Sequence, residues 1–420
     1  MLLATGNGKG RQAEAHTARR ECYAPRGGVC VRVLHRCVSF AVPLAIGFAA
    51  ALPAQRHIWI VDPSAGPGTN FTDVQAAADA AQPGDVLRLR SNRGYLGPLT
   101  TDKPLLLLTD PGQTPTLGLA NLHDLPAGTT FVLAGVALGF PYGSTPSIRL
   151  SACQGQVVLR DLRSFFPFPG DPGFAIDASD CRSIDVLRLT TTNSRGLLAL
   201  RSSVTLLDCW FSIDNYEITP SYGHSMIDAG QSDLSLVDTV CIGGRGNILG
   251  GYAMRIVDGL VRIGGTHAGG SFLQAGPGGS RPAVTLLRGA IVFDPAATTI
   301  VLGIANAGEV RAEPVPVTQS DEALAGLATA TLTAPAGTPA LLAFGLPLPP
   351  TPTGFGDLRV DLVAGTCALA VGTTSSTGAL STSKQVPSDP NLLGAVFMAQ
   401  GVAWTSAGVR LTNGAPLVLQ

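Results

Sequence analysis

The sequence predicts an all-β protein built from short stacked strands, and three observations lead to that fold class. Only 14% of the 420 residues are charged, whereas 51 are Gly and 31 are Pro, which suits short strands joined by many turns. A strand-like signature recurs between about residues 130 and 295 at intervals of roughly 20–30 residues, the size of one solenoid coil. Aromatic residues make up only 6% of the chain, so we expect aliphatic side chains to fill most of the core.

A secretory leader is predicted before the β-rich region. Residues 38–54, VSFAVPLAIGFAAALPA, form an apolar run that follows the basic stretch VRVLHR and ends on a small residue. A membrane helix is the alternative, but Pro43, Gly47 and Pro53 interrupt the run, which favours a signal cleaved after Ala54. We therefore expect a secreted or cell-envelope protein without a transmembrane segment in its mature chain.

A short helix is predicted at the start of the mature chain. Thr72 and Gln75 match a capping box, in which each side chain satisfies a free backbone N–H of the first helical turn. The apolar face at helical spacing consists of Val74, Ala77, Ala78 and Ala81. Pro83-Gly84-Asp85 then ends the helix, and the alternating segment VLRLR predicts a half-buried strand.

The whole segment 71–110 resembles the N-terminal cap and first coil of right-handed parallel β-helix proteins, the pectin-lyase-like superfold. The resemblance is carried by the order of helix, PGD turn, alternating strand, G-Y and K-P-L-L-L-L. It implies a right-handed parallel β-helix over residues 55–310 with a short N-terminal capping helix. Residues 1–54, which precede it, are assigned to an N-terminal extension and the signal peptide. The resemblance implies no single function, because that superfold includes lyases, hydrolases and non-enzymes.

The internal repeat supports the same architecture. Its units are FVLAGVAL (131–138), VVLRDLRS (157–164), DVLRLTTT (185–192), TLLDCWFS (205–212), SLVDTVCI (235–242), LVRIGG (260–265) and TLLRGAIVF (285–293). The positions aligned as equivalent are 132, 158, 186, 206, 236, 261 and 286. A β-sandwich is the alternative, but its strands usually recur every 8–12 residues or so.

Cysteines offer a test of that alignment. The five that follow the signal are Cys153, Cys181, Cys209, Cys241 and Cys367. Cys153 and Cys181 each precede an aligned position by five residues, so they would stack on adjacent coils about 4.8 Å apart, which permits a disulfide. Cys209 and Cys241 would lie two positions apart on neighbouring coils, which makes a weaker candidate pair. The alternative is that all four are small buried side chains in a ladder.

Residues 311–420 are predicted to form a small C-terminal β-domain. LPLPPTP (346–352) indicates a linker or a rigid edge, and VRLTNGAPLVL (409–419) predicts a hairpin around Asn413-Gly414. The stretches VPSDPNLLGAVFMAQGVAW and GVRLTNGAPLVL resemble the C-terminal β-domain of exported proteins from planctomycete-like bacteria, over roughly 341–420. That resemblance implies secretion or envelope location and no chemistry.

The charge of the mature chain argues against nucleic-acid binding. The first 54 residues hold seven of the 28 basic and two of the 29 acidic residues, which leaves 21 basic and 27 acidic, a net charge near −6. Neutralising phosphates requires clustered positive charge. We therefore do not expect a nucleic-acid partner. The candidate partner is polysaccharide or cell-envelope glycan, from the carbohydrate-binding interpretation of the solenoid face.

Two groups of side chains are candidates for chemistry. Lyases of the superfold use calcium, held by carboxylates, and an Arg or Lys base. The first candidate group here is Asp177, Asp180, Arg182, Asp185 and Arg188, for which solvated turn residues are the favoured interpretation. No cofactor is expected unless the chain is a lyase, in which case calcium is, and the metal ligands stay undetermined.

The second group lies in DNYEITPSYGHSMIDAGQSD (214–233), where one repeat interval lengthens and predicts a protruding loop. Its candidate catalytic residues are Asp214, Glu217, His224 and Asp228. Its candidate ligand-binding aromatics are Tyr216 and Tyr222, together with the nearby Trp210. A long solvated turn is the alternative.

The sequence thus favours an exported, non-catalytic β-helix protein that binds carbohydrate along its solenoid face. No complete glycosidase or lyase motif is present, and the paired carboxylates of a glycosidase are not evident. A polysaccharide lyase or glycoside hydrolase on the same fold is the alternative, so enzymatic activity stays open. A structural surface-layer component is a third possibility.

Overall fold

The structure, a computed structural model, describes residues 56–139, 145–165, 173–213, 223–245, 250–277, 281–321, 326–363, 366–387, 389 and 392–419. Within these ranges the chain is nearly all β, as predicted. The predicted leader and signal peptide lie outside the described residues. All of the described residues belong to one compact unit, Ala54–Gln420.

The first part of this unit contains one helix and 29 strands among the described residues. In chain order they are β1 (Ile58–Val61), α1 (Val74–Ala80), β2 (Val86–Leu89), β3 (Asn92–Tyr95), β4 (Leu99–Thr101), β5 (Leu106–Thr109), β6 (Thr114–Leu117), β7 (Ala120–His123), β8 (Thr130–Ala134), β9 (Ala137–Leu138), β10 (Ile148–Ser151), β11 (Gln156–Arg160), β12 (Arg163–Phe165), β13 (Phe174–Ser179), β14 (Ser183–Leu187), β15 (Thr190–Thr192), β16 (Arg195–Leu200), β17 (Ser203–Leu207), β18 (Trp210–Ser212), β19 (Ile227–Gly230), β20 (Asp233–Val237), β21 (Val240–Ile242), β22 (Met254–Val257), β23 (Gly259–Gly264), β24 (Ser271–Gln274), β25 (Val284–Leu286), β26 (Gly289–Phe293), β27 (Thr298–Val301), β28 (Ile304–Asn306) and β29 (Glu309–Ala312).

These strands form three long parallel sheets, and the chain visits them in strict rotation. Sheet 1 has eleven strands in the order β1-β2-β5-β8-β11-β14-β17-β20-β23-β26-β29. Sheet 2 runs from β3 to β27 and sheet 3 from β4 to β28, each with nine strands taken at every third position in the chain. This rotation is a parallel β-helix, as predicted. Its right-handedness stays a prediction, supported by the strong general preference for right-handed parallel crossovers.

Tight turns with a single left-handed residue separate sheet 1 from sheet 2. Asp161, Asp208 and Asp238 follow β11, β17 and β20 directly, with φ values of 51°, 53° and 48°. Aspartate tolerates this region better than most residues. Because β17 and β20 are paired in register, Asp208 stacks on Asp238 of the next coil, whereas the coil between Asp161 and Asp208 has Arg188 at this turn.

The solenoid interior is aliphatic, as the low aromatic content predicted. Leu, Ile, Val and Ala dominate its core, and Phe131 and Phe211 are the fully buried aromatic residues of that cluster within the described ranges. The inward residue of each strand stacks on the inward residue of the next coil, for example Leu206 on Leu236. Each coil therefore buries its apolar surface chiefly against its neighbours.

Helix α1 closes the N-terminal end, but its cap differs from the prediction. Its apolar face is confirmed, since Val74, Ala77 and Ala78 are buried. The capping box was wrong: Asp73, not Thr72, is the N-cap and accepts a hydrogen bond from the Ala76 N–H at 2.9 Å. Gln75 instead bonds the backbone of Thr100, its Oε1 accepting at 2.6 Å and its Nε2 donating at 3.0 Å.

The predicted repeat is right in period and slips in register. Val132 pairs with Val158, and Leu206 with Leu236, as aligned. Val158 pairs with Asp185 rather than Val186, and Leu236 pairs with Ile263 rather than Val261. Residue 286 lies in β25 of sheet 3, not in sheet 1. Since inward and outward positions alternate, a slip of one residue exchanges the two faces.

The remaining strands form three small antiparallel sheets, called here the C-terminal unit. Its strands are β30 (Val317–Asp321), β31 (Leu327–Thr333), β32 (Pro339–Gly345), β33 (Pro347–Thr353), β34 (Gly356–Val360), β35 (Thr366–Thr373), β36 (Ala379–Gln385), β37 (Val396–Thr405), β38 (Gly408–Leu411) and β39 (Ala415–Val418). The sheet orders are β30-β31-β36, β35-β32-β37-β38 with β39 also on β37, and β33-β34.

The predicted C-terminal hairpin was wrong. β38 and β39 both pair antiparallel with β37, at Val402–Thr405 and Val396–Ala399 respectively, and not with each other. The Asn413 side chain is used for a tertiary contact, because its Oδ1 accepts from Thr318 N at 2.9 Å and its Nδ2 donates to Thr318 O at 2.8 Å. The proline-rich segment forms β33, which pairs with β34 alone.

The C-terminal unit packs on the outer face of sheet 1. A second apolar core joins outward residues of sheet 1, such as Leu106, Val132 and Val158, to buried residues of the unit, such as Leu332 and Leu342. The solenoid thus has one covered outer face, and its outward residues there are apolar for that reason.

The four described cysteines whose side chains can be placed are buried free thiols. Register stacks Ser151 on Ser179, so Cys153 and Cys181 occupy equivalent places on adjacent coils. A hydrogen bond between the two thiols lowers the pKa of Cys153 and raises that of Cys181. Cys209 lies two residues before the partner of Cys241, and burial raises its pKa to about 12. Disulfide formation by either pair stays a prediction.

Candidate functional site

The first group of predicted site residues is distributed over several faces of the solenoid. Asp177 lies on the outer face of sheet 3, 3.9 Å from Nε of Arg149, and burial raises the pKa of its carboxyl. Asp180 is the left-handed residue of a turn, and Arg201 donates two hydrogen bonds to it at 2.6 and 2.7 Å, which lower its pKa. Arg182 donates to the carbonyl of Pro350 at 3.1 Å.

The other two members of this group have structural partners of their own. Arg188 donates to both carboxylate oxygens of Asp161 at 2.6 and 2.9 Å, one coil away at the same turn. Asp185 is fully buried beneath the C-terminal unit and pairs with Arg359. These five residues are therefore not gathered into one group.

Of the second group, the structure describes Trp210, His224 and Asp228, whereas Asp214, Tyr216, Glu217 and Tyr222 lie outside the described residues. Asp228 accepts hydrogen bonds from Arg195 Nη2 at 2.5 Å and from Ser225 Oγ at 2.6 Å. Its carboxylate is thus engaged by a cation and a hydroxyl.

The remaining two side chains of the second group have different settings. Trp210 stands on the outer face of sheet 2 and is 46% exposed, with its indole N–H donating to Ser212 Oγ at 3.3 Å. His224 is partly buried, and its backbone carbonyl accepts from Gly244 N at 3.0 Å. Across the described ranges, no three metal-ligating side chains are grouped as a metal site would need. Calcium binding stays a prediction from the resemblance.

A cleft lies elsewhere, where the outer face of sheet 1 meets the C-terminal unit. One outward register position of sheet 1 reads, from coil to coil, Val86, Leu106, Val132, Val158, Asp185, Thr205, Ser235, Arg262 and Val292. The four apolar residues at its start belong to the core shared with the C-terminal unit. From Thr205 onward the same column borders an open cleft of about 410 Å³.

The solenoid wall of the cleft is polar. Thr205 and Ser235 contribute hydroxyls, and Asp233 contributes an exposed carboxylate. Arg262 is half-buried in this wall, and its guanidinium makes no hydrogen bond or ion pair with any described residue. A half-buried cation with free donors is available to a ligand that carries acceptors.

The facing wall comes from β34, β38 and the loops beside them in the C-terminal unit. Phe355, 56% exposed, stands between β33 and β34, and Asp357 and Asn413 also face the cleft. Arg410 lines it as well and donates to Glu313 at 3.3 Å. The two walls together present hydroxyls, cations, carboxylates and one aromatic ring.

A buried polar network holds the two walls in place. Arg359 donates from Nη1 and Nη2 to the two oxygens of Asp185 at 2.8 and 2.7 Å, and from Nη1 to Thr205 Oγ1 at 3.1 Å. Gln156 donates to Asp185 at 2.8 Å, and the Arg359 backbone N–H donates to Gln400 Oε1 at 2.7 Å. Side chains from three coils and two strands of the C-terminal unit are thereby fixed relative to one another.

Sequence reasoning missed most of this site. Asp233 falls in the polar segment that the sequence singled out, but Arg262 and Phe355 do not. The available signal was the change from Val to Asp, Thr, Ser and Arg along one outward column of sheet 1. That column is visible only with the correct register.

The cleft itself, and not a relative, carries the functional inference. No protein-family model matches the chain, and a search of curated proteins also finds no match. Within the described residues, no helix is long and apolar enough to cross a membrane. Because one fold supports many functions, the chemistry of the cleft decides among them.

Proposed function

We propose that this chain is an exported, non-catalytic β-helix protein that binds carbohydrate in the cleft between sheet 1 and the C-terminal unit. The observation that carries the proposal is the polar stretch of the sheet 1 column, faced across the cleft by Phe355. A volume of about 410 Å³ falls in the range of small-ligand sites. It suits a short segment of a sugar chain.

The residue types match sugar recognition. Hydroxyl, carboxylate and guanidinium groups donate to or accept from sugar hydroxyls, and an exposed ring such as that of Phe355 stacks on the apolar face of a sugar. Arg262, which has no described protein partner, is suited to bind a ring oxygen, a hydroxyl or a sugar carboxylate. The predicted secretory leader supports contact with extracellular or envelope glycans.

The test uses protein purified after expression of the full chain and a panel of neutral and acidic polysaccharides with calcium present. Retention on immobilised glycan and titration with soluble oligosaccharide give the affinity. We expect Phe355→Ala and Arg262→Gln each to weaken binding about tenfold, near 1.4 kcal/mol, because each removes one principal contact. The thermal midpoint should stay unchanged, since neither side chain is fully buried.

Trp210→Ala is the matched control. It removes an aromatic ring of similar exposure on another face of the solenoid, so the cleft proposal requires unchanged affinity. Loss of binding in Trp210→Ala alone would move the site to the outer face of sheet 2. New unsaturated or reducing ends from any glycan would instead support the lyase or hydrolase alternative, and Asp233 and Asp357 would then be the first carboxylates to replace.

A further inference from the structure

The two ends of the solenoid differ in whether a further element covers the core. At the N-terminal end, α1 packs beside β1 and β4, the first strands of sheets 1 and 3. At the C-terminal end the last coil consists of β27, β28 and β29, and the chain then leaves the solenoid to form β30, the first strand of the C-terminal unit. Nothing in the described part of the chain takes the place of α1 at this end.

Exposure of the inward residues shows the difference. Leu273, Val284 and Ile291 point into the core of the penultimate coil, and each is 0% exposed. Their partners on the last coil, Ile300, Ile304 and Val310, are more exposed, with Val310 at 36%. A further layer is therefore missing from the apolar core at this end.

The last coil also presents three free strand edges. β27, β28 and β29 each have a single neighbour within their sheets. Soluble proteins usually protect such edges with charges, prolines or a covering segment, because free N–H and C=O groups pair readily with another strand. β27, with the sequence TTIV, and β28, with the sequence IAN, contain neither a charge nor a proline.

The charges of β29 are complementary to those of a second, antiparallel copy of the same strand. Glu309 and Arg311 lie on the outer face of sheet 1, on either side of the inward-facing Val310. If two copies of β29 pair antiparallel about Val310, Glu309 of each copy lies opposite Arg311 of the other. Opposite charges at directly paired positions stabilise an antiparallel ladder, and like charges destabilise it.

We propose that two copies of this chain associate end to end through their last coils, about a two-fold axis through Val310. The two-fold axis is perpendicular to the solenoid axis. Viewed from one end, the two chains therefore run around the solenoid axis in opposite directions, and every pair of facing strands is antiparallel. β29 then pairs with β29 of the second copy, and β27 pairs with β28 of the second copy. The axis brings Val310 against Val310 and Ile300 against Ile304, which supplies the missing core layer to both copies.

The charges of β29 favour a second copy over another occupant. In the single chain, Arg311 donates to both carboxylate oxygens of Glu309 at 2.6 and 2.7 Å, with both side chains about half exposed. In the pair, Glu309 and Arg311 of each copy also face Arg311 and Glu309 of the other copy. The two-fold axis makes these contacts identical for both copies, so the association stops at two chains. Arg311 also lines the proposed carbohydrate cleft, but the association argument does not depend on glycan binding.

The test measures molar mass by light scattering and sedimentation, on protein purified after expression of the full chain. We expect a mass twice that of the single chain. Glu309→Arg and Arg311→Glu should each weaken association at least tenfold, because each places like charges opposite one another. An equimolar mixture of the two variants should restore the doubled mass, since Arg-Val-Arg then faces Glu-Val-Glu.

The mixture separates association from folding, because a variant that fails to fold cannot be rescued by its partner. Asp180→Arg is the matched control: it breaks an ion pair to Arg201 of similar exposure in a turn far from the last coil in sequence, so the doubled mass should persist. A single-chain mass for the wild type at all concentrations would overturn the proposal. So would larger assemblies, or a doubled mass that neither charge reversal affects.

Discussion

The Arg359–Asp185 pair is the most consequential contact at the residue scale. Both side chains are almost fully excluded from water, 8% and 0% exposed, and Ser183, Thr205 and Gln156 also hydrogen-bond to the pair. The buried Nε of Arg359 has no hydrogen-bond partner among the described residues. Such a pair joins the outer face of sheet 1 to β34 in one geometry only. It also borders the cleft, so the position of the cleft walls depends on it.

Arg359→Met leaves Asp185 as a buried charge with Gln156 as its described donor. Removing one partner of a buried pair costs about 3–5 kcal/mol, which we expect as the loss in the free energy of unfolding in urea. The double variant Arg359→Met with Asp185→Leu should recover much of that loss, because it leaves no unpaired charge. Arg201→Met, which removes the exposed partner of Asp180, is the control and should change stability little.

If Arg359→Met and Arg201→Met lower the free energy of unfolding by equal amounts, the buried pair has no special role in stability. A double variant no more stable than Arg359→Met would show that packing, and not the uncompensated charge, sets the cost. Glycan affinity of Arg359→Met, measured well below its unfolding transition, then reports whether the pair also positions the cleft.

Glycine placement is a second residue-scale feature of the solenoid. Gly243, Gly244, Gly250, Gly251 and Gly276 lie where neighbouring coils pass backbone against backbone. A side chain on Gly251 would overlap the carbonyl oxygen of His224, and one on Gly276 would overlap that of Gly244. These glycines allow close stacking of coils, as glycine does wherever two backbones approach.

At the element scale, α1 shows how a local motif can be assigned one residue away from its true position. Thr72 and Asp73 are both good N-cap residues, and the pairing of Thr72 with Gln75 favoured the first. In the structure Asp73 is the N-cap, because the Gln75 side chain hydrogen-bonds to the backbone of Thr100 in β4 and does not reach back to the helix N-terminus. A tertiary contact thus outweighs the local capping box.

Asp73→Ala should therefore destabilise the protein by about 1 kcal/mol, the usual cost of losing an N-cap. Thr72→Ala, the neighbouring position with the same replacement, should cost much less. Urea unfolding of both variants tests the assignment. A larger loss of stability in Thr72→Ala than in Asp73→Ala would instead support the capping box that the sequence suggests.

The dominant feature at the scale of the whole molecule is the burial of sheet 1 beneath the C-terminal unit. Val86, Leu106, Val132 and Val158 form an outward apolar stripe, and the strands β31, β32 and β37 supply the residues that cover it. The same strands leave the later coils open, which produces the cleft. One packing arrangement therefore stabilises the solenoid and creates its candidate site.

Ending the chain after residue 312 should expose that stripe and leave Asp185 without Arg359. We expect the shortened protein to aggregate or to bind a hydrophobic dye strongly, because exposed contiguous apolar surface promotes association. The measurement compares dye fluorescence and light scattering with those of the full chain. A shortened chain that stays soluble, binds no dye and unfolds at the same temperature would show that the C-terminal unit is an independent appendage.

The sequence by itself determined the class of fold and its period. Low charge, many turn residues and a recurring strand signature suffice for that, because they reflect local propensity and the length of one coil. It also determined which face of α1 is buried, since helical spacing is a local property. The aliphatic core followed from composition.

Only the tertiary structure decided the register, the C-terminal pairing and the site. Register depends on which coil stacks on which, so Val186 and Asp185 could not be distinguished from the repeat alone. β38 and β39 pair with β37 because Asn413 is held by Thr318 and is not free to form a hairpin turn. Arg262 and Phe355 line opposite walls of one cleft only because the C-terminal unit packs on sheet 1, and no local sequence pattern encodes that packing.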